Sequence, residues 1–293
     1  MYHAVSVLEM GLCKYVIVVY ADNALSSGRR FDYAEGDNAV FGNFGLAGNY
    51  AMAAQRAMHT FDTGPDTWKE IAIAQRKWAQ LNPRAMMYNK PMDSESYYQS
   101  RWVTEPFRLP DCCLLSDGGR AYIVTTVERA RDLKNPPAVI MGMGQHNPSS
   151  YIQQSTHFTG STGAKKAGQI AFDMAGINVD DVDACQIYDC FTYTVEITLQ
   201  DYGFFGPGEG EAWFKDGKTA PGGSLPVNTS GGLLSEAYFM GLTPLCEGVM
   251  QITGRCGDRQ LGPKTNTKEP EIILCNDNGG VLQTHTAIVL RRF

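Results

Sequence analysis

The composition of this 293-residue chain is that of an ordinary globular protein, with 43% hydrophobic residues, 19% charged residues and a formal net charge of −6. The acidic balance and the lack of a Lys/Arg cluster argue against nucleic acid as a partner. The longest apolar run, 15–21, is far too short to span a bilayer. No basic segment leads into a cleavable apolar run. We therefore expect no nucleic-acid partner, no membrane span and no secretory signal.

The cysteine pattern predicts reduced thiols rather than a disulfide framework or a metal centre. Eight cysteines occur, and no two of them have Cys-x-x-Cys spacing. No histidine lies at ligand spacing from them, so we expect no zinc site. The thiols are expected to pack as small hydrophobic side chains in a cytoplasmic protein.

The first part of the chain predicts a helix, a buried strand and a long irregular region. Continuous apolar runs such as 13–20 are typical of central strands that are covered on both faces. The predicted elements are a helix at 3–12, a strand at 13–20, a Gly- and Asn-rich loop within 22–60, a helix at 67–81, an irregular segment at 86–110, a strand from Gly119 and a helix at 127–133. Long excursions like 86–110 are usually functional.

Asn135-Pro-Pro marks the best boundary between two parts of the chain. After it, strands and helices alternate, which predicts an α/β layered fold. The predicted strands are 138–142, 182–188, 272–275 and 286–290, and the predicted helices are 161–175, with Gly176 at the C-cap position, 191–201, and 233–254 with a break near Pro244.

The stretch Asn228-Thr-Ser-Gly-Gly-Leu-Leu-Ser-Glu-Ala-Tyr238-Phe-Met-Gly241 carries the strongest functional signal. It predicts a Gly-rich loop that leads into a helix. Gly231 and Gly232 can adopt positive φ and let the backbone approach a ligand closely, and Ser235 can cap the helix. The stretch resembles the thiolase loop Asn-x-x-Gly-Gly-x-x-x-x-Gly-His-x-x-Gly, with Tyr238 in place of the catalytic histidine.

The resemblance to the thiolase superfamily, and to its sterol-carrier-protein-type branch in particular, extends over the whole chain. It rests on six stretches in the right order: 43–45, 70–83, 111–118, 175–183, 186–192 and 228–241. It implies a thiolase-like layered αβαβα fold of two halves, with the first half incomplete. Residues 1–134 are expected to form the remainder of the N-terminal half, including a long loop region, and residues 135–293 the C-terminal half.

The resemblance places the nucleophilic cysteine of thiolases at the start of a helix that begins here near Met1. Cys13 lies at the other end of that helix, so we do not expect it to be the nucleophile. Two alternatives stay open: the N-terminal part is absent from this chain, or the protein begins late and has lost nucleophilic catalysis.

A second tyrosine occupies the other oxyanion position of the family. Where thiolases have Glu-x-Asn-Glu-Ala-Phe, this chain has Gln186-Ile-Tyr188-Asp-Cys-Phe191. Either tyrosine alone could be a packed core residue whose hydroxyl bonds to the backbone, but the matched positions favour a functional pair. A phenol, with a usual pKa of about 10, can act as a general acid or base.

The pair resembles that of lipid-transfer-protein-like retro-aldolases in bacterial steroid side-chain degradation. By that resemblance, Tyr238 takes the proton of a tertiary hydroxyl and Tyr188 stabilises or protonates the thioester enolate; the reverse assignment stays open. The substrate is then a coenzyme A thioester, without a covalently bound cofactor. Alternatives are a sterol-carrier-type thiolase with its cysteine upstream, and a non-catalytic acyl-CoA- or sterol-binding subunit.

Weaker candidates complete the site. His285 is as plausible a structural histidine as a catalytic one. The same resemblance implies that Asn228, Gly231 and Gly232 bind the thioester. Further candidates of lower weight are Asp189, Glu236, Cys275, and the basic residues Lys77, Arg84 and Arg101 for coenzyme A phosphates. The resemblance also implies a homodimer that works with a small OB-fold partner carrying a zinc ribbon.

Overall fold

The computed structural model describes residues 1–29, 40–42, 45–61, 63–148 and 162–293. Its α-helices are α1 (Tyr2–Glu9), α2 (Gly45–Phe61), α3 (Pro65–Ala79), α4 (Ser94–Gln99), α5 (Val127–Ala130), α6 (Gly163–Ala175), α7 (Thr192–Tyr202), α8 (Gly210–Phe214), α9 (Gly232–Ser235) and α10 (Leu242–Ile252). Its strands are β1 (Val16–Asn23), β2 (Trp102–Thr104), β3 (Phe107–Arg108), β4 (Asp117–Val124), β5 (Ala138–His146), β6 (Ala184–Gln186), β7 (Ile272–Gly279) and β8 (Thr284–Arg292).

A four-stranded sheet in the order β5-β8-β7-β6 organises the second part of the chain. The β7–β8 pair is antiparallel, and β6 runs parallel to β7. Helix α6 packs on one face so closely that a Cβ at Gly144 would lie 1.7 Å from the carbonyl oxygen of Ala167. Helix α10 packs on the other face, where a Cβ at Gly248 would lie 2.4 Å from Cys275 Sγ. The sheet is therefore a middle layer between two helices.

Strands β1 and β4 form a separate two-stranded antiparallel sheet. Its inner face packs on α1 through Leu8 and Val124. On its outer face, Ile17 and Val19 are each 64% exposed. The prediction of a strand near 13–20 is confirmed, but the prediction that it is buried on both faces is wrong. An apolar run does not report how many faces are covered, and here the described residues cover one.

Part of the region 22–60, for which the sequence predicts a loop, forms helix α2 in the structure. The loop signal lies at 41–46, whereas most of residues 45–61 are good helix formers such as Ala, Met, Gln and Arg. Ala53, Ala54 and Ala57 also form a completely buried face against the main core, so propensity and packing both favour the helix. Asn43 and Phe44, part of the first stretch that resembles thiolases, lie outside the described residues.

The break in the predicted helix 233–254 lies earlier than Pro244. Helix α9 ends at Ser235, and α10 begins at Leu242 with Gly241 at its N-cap position. Pro244 occupies the first turn of α10, where its missing N–H is not needed. Ser235 lies inside α9 and accepts a hydrogen bond from Arg76 Nε at 3.1 Å, so its predicted capping role is wrong. The break leaves Tyr238 in a non-helical segment.

The segment 86–110, predicted to be irregular, contains the short helix α4 and the antiparallel pair of β2 and β3, so that prediction is wrong in part. The remaining element predictions agree with the structure to within a few residues. Gly176 ends α6 with φ 67°, as the C-cap prediction requires. Ser161, the predicted start of that helix, lies outside the described residues, and the helix begins after Thr162, whose hydroxyl caps Ala164 N at 3.0 Å. In the part of the chain that the structure describes, no helix has the length and apolar character needed to cross a membrane.

Candidate active site

Two tyrosines meet where the segment after β6 faces the segment between α9 and α10. The hydroxyl oxygens of Tyr188 and Tyr238 lie 2.7 Å apart, and either can donate the hydrogen bond between them. Their rings are nearly perpendicular, with centroids 6.2 Å apart. Tyr188 is 6% exposed, whereas Tyr238 is half-buried. The structure thus brings together the two residues that the sequence singles out; their catalytic role stays a prediction.

Side chains from three elements fix the backbone around Tyr188. Its N–H donates to Asn276 Oδ1 on β7 at 3.3 Å, and its carbonyl accepts from the Thr194 hydroxyl at 3.1 Å. The N–H of Ile187 donates to Asn228 Oδ1 at 2.6 Å. Strand β6 ends at residue 186, so these contacts satisfy backbone groups that no neighbouring strand reaches.

Asp189 joins this segment to the Gly-rich stretch. Its carboxylate accepts the N–H groups of Leu233, at 2.8 Å, and Leu234, at 3.2 Å. Gly232 has φ 62°, and a Cβ there would lie 2.2 Å from Asp189 Oδ2. Burial raises the pKa of Asp189 to about 7, and the two backbone bonds oppose that rise. Asp189 therefore caps α9 from a distant segment instead of capping α7, the helix that follows it.

The three residues predicted to bind the thioester are packed against protein atoms. Asn228 is buried with φ 53°. Gly231 has φ 102°, and a Cβ there would lie 2.8 Å from the Cβ of Ala79 on α3. The positive φ angles and missing side chains of Gly231 and Gly232 thus allow close packing on α3 and on Asp189. The binding role of Asn228, Gly231 and Gly232 stays a prediction.

Contacts with the first part of the chain hold Tyr238. Its N–H donates to Ser116 Oγ at 3.0 Å, just before β4, and its hydroxyl lies 3.2 Å from Met240 Sδ. Two residues earlier, the buried carboxylate of Glu236 forms an ion pair with Arg120 on β4. The site is therefore assembled from both parts of the chain: Tyr238 is fixed to β4 and Tyr188 to β7.

Burial keeps both phenols protonated at neutral pH. It raises the pKa of Tyr188 well above its usual value, and the neighbouring Cys190 and Tyr238 raise it further. Burial also raises the pKa of Tyr238, while the hydrogen bond with Tyr188 lowers it. The pair is consequently a neutral, hydrogen-bonded couple with one phenolic proton between the two oxygens and one free to point elsewhere.

The thiols around the pair are protonated for the same reason. Burial raises the pKa of Cys112 and of Cys190 to about 12, and that of Cys113 well above its usual value. Cys275, one of the candidates of lower weight, lies on the face of β7 that packs on α10, away from Asn276. Burial raises its pKa as well. None of these four thiols has the lowered pKa of a nucleophilic cysteine.

His285 reaches the pair only through another side chain. It is fully buried on β8, and its Nδ1 lies 3.4 Å from the amide nitrogen of Asn276, whose amide oxygen binds Tyr188. Burial lowers the pKa of His285 to about 3. The imidazole is therefore neutral, and its Nε2 has no partner among the described residues. This geometry is that of a support for Asn276, and the predicted catalytic role stays untested.

Sequence reasoning did not single out Tyr50, and it gave no role to Cys190 although that residue lies within the 186–192 stretch. Both belong to the buried core around Tyr188, and no motif marks Tyr50. Lys77, Arg84 and Arg101 are exposed, as the proposed contact with coenzyme A phosphates requires. Over the described ranges, no group of three or more His, Cys, Asp or Glu side chains could hold a metal ion.

The family comparisons agree with this architecture. Residues 144–292 match the family model described as "Thiolase C-terminal domain-like". The chain is 36% identical over 283 residues to a protein of Thermomonospora curvata named "Steroid side-chain-cleaving aldolase". The aligned region covers 90% of this chain and 71% of that protein. It is also 36% identical over 270 residues to the "17-hydroxy-3-oxo-4-pregnene-20-carboxyl-CoA lyase" of Mycobacterium tuberculosis, covering 86% and 70% respectively.

A solved structure titled "Ltp2-ChsH2(DUF35) aldolase" superposes with a TM-score of 0.88 and 31% identity, covering 99% of this chain and 76% of that one. A monomeric SCP2-thiolase-like protein of Mycobacterium smegmatis, with a TM-score of 0.69 and 16% identity, shares the fold. The expected thiolase-like fold is confirmed. This chain belongs to the thiolase superfamily, in the branch that contains the steroid side-chain-cleaving aldolases.

Proposed function

We propose that this protein is a carbon–carbon lyase that cleaves a steroid-type β-hydroxyacyl-CoA thioester by a retro-aldol reaction, giving a ketone and a shorter acyl-CoA. The observation that carries the proposal is the 2.7 Å contact between the hydroxyl oxygens of Tyr188 and Tyr238. Two phenols in direct contact can pass a proton from the substrate hydroxyl to the carbon that becomes the enolate.

The proton balance of the reaction fits this couple. The substrate hydroxyl gives its proton to the Tyr238 oxygen while the Tyr238 proton moves to the Tyr188 oxygen. The Cα–Cβ bond breaks, its electron pair forms the enolate, and the former carbinol carbon becomes the ketone. In the same concerted step Tyr188 gives its own original proton to the enolate Cα, so its oxygen never carries two protons. Both phenols end neutral, so the raised pKa values do not obstruct the relay.

The relatives support the substrate class. The protein of Mycobacterium tuberculosis is named as a lyase of a 17-hydroxy steroid carboxyl-CoA, and that of Thermomonospora curvata as a steroid side-chain-cleaving aldolase. A hydroxyl β to the thioester is the group that a retro-aldol reaction requires. We propose that the exposed Lys77, Arg84 and Arg101 meet the coenzyme A phosphates.

The acyltransferase alternative has less support. Acyl transfer of the thiolase kind requires a cysteine thiolate, which this alternative places upstream of Met1. Burial raises the pKa of Cys112, Cys113 and Cys190, the thiols around the phenols, so none of these three takes its place. A phenol with a raised pKa does not activate a thiol at neutral pH. A non-catalytic binding subunit is the remaining alternative, and turnover separates it from the lyase.

The test is cleavage of the coenzyme A ester named for the relative of Mycobacterium tuberculosis, with ketone and acyl-CoA products followed by mass spectrometry. We expect Tyr188→Phe and Tyr238→Phe each to lower kcat at least about 100-fold, the usual contribution of a general acid or base. Tyr193→Phe is the matched control, since Tyr193 is buried and its hydroxyl bonds to no described residue. Wild-type cleavage rates in both site variants would refute the two-tyrosine mechanism.

We also propose that the protein works as a homodimer with a small OB-fold partner that carries a zinc ribbon. The support is the family resemblance and the solved aldolase whose title joins Ltp2 with ChsH2(DUF35). Full activity of this protein alone, measured on a monodisperse preparation, would contradict the need for a partner.

The free state of all eight cysteines supports a reducing compartment, and we propose the cytoplasm.

A further inference from the structure

One short segment of the chain contacts the surroundings of both tyrosines. This bridging segment, residues 111–116, lies just before β4. Near its start it joins the residues that follow Tyr188, where the N–H of Cys113 donates to the carbonyl of Cys190 at 2.9 Å. The fully buried Asp111 anchors the same end, because its carboxylate accepts the hydroxyl hydrogen of the first residue of α7 at 2.8 Å. The bridging segment is thereby fixed to the Tyr188 side of the site.

The other end of the bridging segment joins the residues around Tyr238. The N–H of Leu114 donates to the carbonyl of Leu233, in α9, at 3.0 Å. The Oγ of Ser116 accepts the Tyr238 N–H at 3.0 Å. Only three residue steps separate Cys113 from Ser116, and they span at most about 11 Å of chain. The bridging segment therefore sets an upper limit on how far the backbones that carry the two tyrosines can separate.

Ser116 is the member of the bridging segment that bonds to a tyrosine itself, and it is only 2% exposed. Its hydroxyl accepts the Tyr238 N–H and donates its own hydrogen to Met86 Sδ at 3.3 Å. The N–H of Met86 in turn donates to the carbonyl of Glu236, two residues before Tyr238, at 2.9 Å. Both bonding roles of the Ser116 hydroxyl are used, so its orientation is fixed.

The backbone at Tyr238 depends on this hydroxyl because no helix holds it. Tyr238 lies in the non-helical segment between α9 and α10, and its N–H has no intrahelical acceptor. Among the described residues, Ser116 is the acceptor of that N–H. The next N–H, of Phe239, is held by the hydroxyl of Thr243 in α10 at 3.1 Å. Two hydroxyl groups from different elements thus fix consecutive backbone groups, and Ser116 is the one bonded to the residue that carries the phenol.

We propose that Ser116 is a positioning residue for the two-tyrosine site: its hydroxyl holds the backbone of Tyr238 where the Tyr238 hydroxyl meets that of Tyr188. This inference rests on the proposed lyase function. Ser116 exchanges no proton with the substrate, because its hydrogen is donated to the sulfur of Met86. Its contribution is to keep the 2.7 Å contact between the two phenols, through which the proposed relay passes.

Ser116→Ala removes only the hydroxyl. We expect kcat for thioester cleavage to fall about tenfold or more, because small displacements of a reacting group are costly, and KM to stay near wild type. In a Tyr238→Phe background, Ser116→Ala is expected to cause no further loss of kcat, since the reacting hydroxyl is already absent.

Thr267→Val is the matched control. It removes a hydroxyl that accepts a backbone N–H, that of Gly262, at the same distance of 3.0 Å, but it lies after α10, in neither of the segments that carry the tyrosines. We expect kcat to be unchanged in this control. Both variants are assayed well below their thermal unfolding midpoints, so that loss of folded protein does not contribute to the rates.

Wild-type kcat in Ser116→Ala would overturn the inference. An equal loss of kcat in the Tyr238→Phe background would also overturn it, as would a similar loss in Thr267→Val, because the effect would then be a general loosening of the fold. If Ser116→Ala does not fold, Ser116→Cys tests the same contact, since it replaces the hydroxyl with a thiol, which is a weak acceptor. We expect it to lower kcat, and unchanged kcat would again overturn the inference. Unimpaired cleavage by Tyr238→Phe is a different result, which refutes the lyase mechanism itself.

Discussion

Glu247→Ala removes the carboxylate of a buried ion pair beneath the Gly-rich stretch. Glu247, in α10, contacts Arg259 twice, through Oε1 and Nε at 3.0 Å and through Oε2 and Nη2 at 2.9 Å. The two side chains are only 3% and 9% exposed. Glu247 Oε1 also accepts the hydroxyl of Thr229 at 2.8 Å, next to Asn228. The pair thus ties the start of the stretch to α10.

The expected loss of stability follows from these contacts. Without Glu247, the buried Arg259 guanidinium loses its ion-pair partner, and breaking such a pair costs about 3–5 kcal/mol. The Gln251 amide loses an acceptor but also donates to the Arg259 carbonyl and to Thr229, so its added cost is small. The buried Thr229 hydroxyl loses the acceptor of its hydrogen, which adds about 1–3 kcal/mol. We expect a loss of at least about 4 kcal/mol from a total of about 5–15 kcal/mol typical of folded domains.

Urea unfolding followed by circular dichroism measures this loss. The double variant Glu247→Leu/Arg259→Met is the control, because it replaces both charges with apolar side chains and leaves none unpaired. We expect it to be more stable than Glu247→Ala. The reasoning is wrong if Glu247→Ala loses less than about 1 kcal/mol, the range of an exposed ion pair, or if the double variant is the less stable of the two.

Three further predictions concern the site. Burial raises the pKa of Asp189 and of Glu196 to about 7. Between pH 4 and 7 these two carboxyl groups bind more protons in the folded protein than in the unfolded chain, so their contribution makes the free energy of unfolding fall as pH rises. Asp189→Asn is expected to flatten this slope when unfolding is measured from pH 5 to 7. Gly232→Ala is expected to lose more unfolding free energy than Gly254→Ala, since both have positive φ but a Cβ at 254 meets no atom within 4 Å. His285→Gln should leave the shape of the pH–kcat profile between pH 5 and 8 unchanged, because the pKa of His285 is about 3.

The sequence was sufficient to predict the meeting of Tyr188 and Tyr238 because both occupy positions in ordered motifs. Because the ordered motifs identify the thiolase-like fold, they also indicate which loops face each other. The same reasoning did not find Tyr50, since the Gly- and Asn-rich stretch at 41–46 led to a loop prediction for the region and α2 was missed. The alanines of 51–57 are good helix formers, but which face of the helix is buried is known only when the surface it packs on is known.

The interpretation of the glycines shows a second limit of sequence reasoning. Gly231 and Gly232 do have positive φ, as predicted. Their described neighbours are Ala79 and Asp189, and no local pattern indicates that a carboxylate more than forty residues earlier caps α9. Glycine residues in a sequence indicate that another group approaches the backbone closely. They do not report whether that neighbour is a ligand or the protein itself.

Burial also explains why this site favours one chemistry over another. A low-polarity environment penalises any anion, so the same burial raises the pKa of the phenols and of the thiol of Cys190 beside them. A cysteine nucleophile needs its anion and is disabled there. A relay through two neutral hydroxyls creates no lasting charge on the protein, and a hydrogen bond between them is stronger in such surroundings than in water. The proposed C–C cleavage by the two tyrosines therefore depends on their burial and their contact, and an exposed or separated pair would lack this advantage.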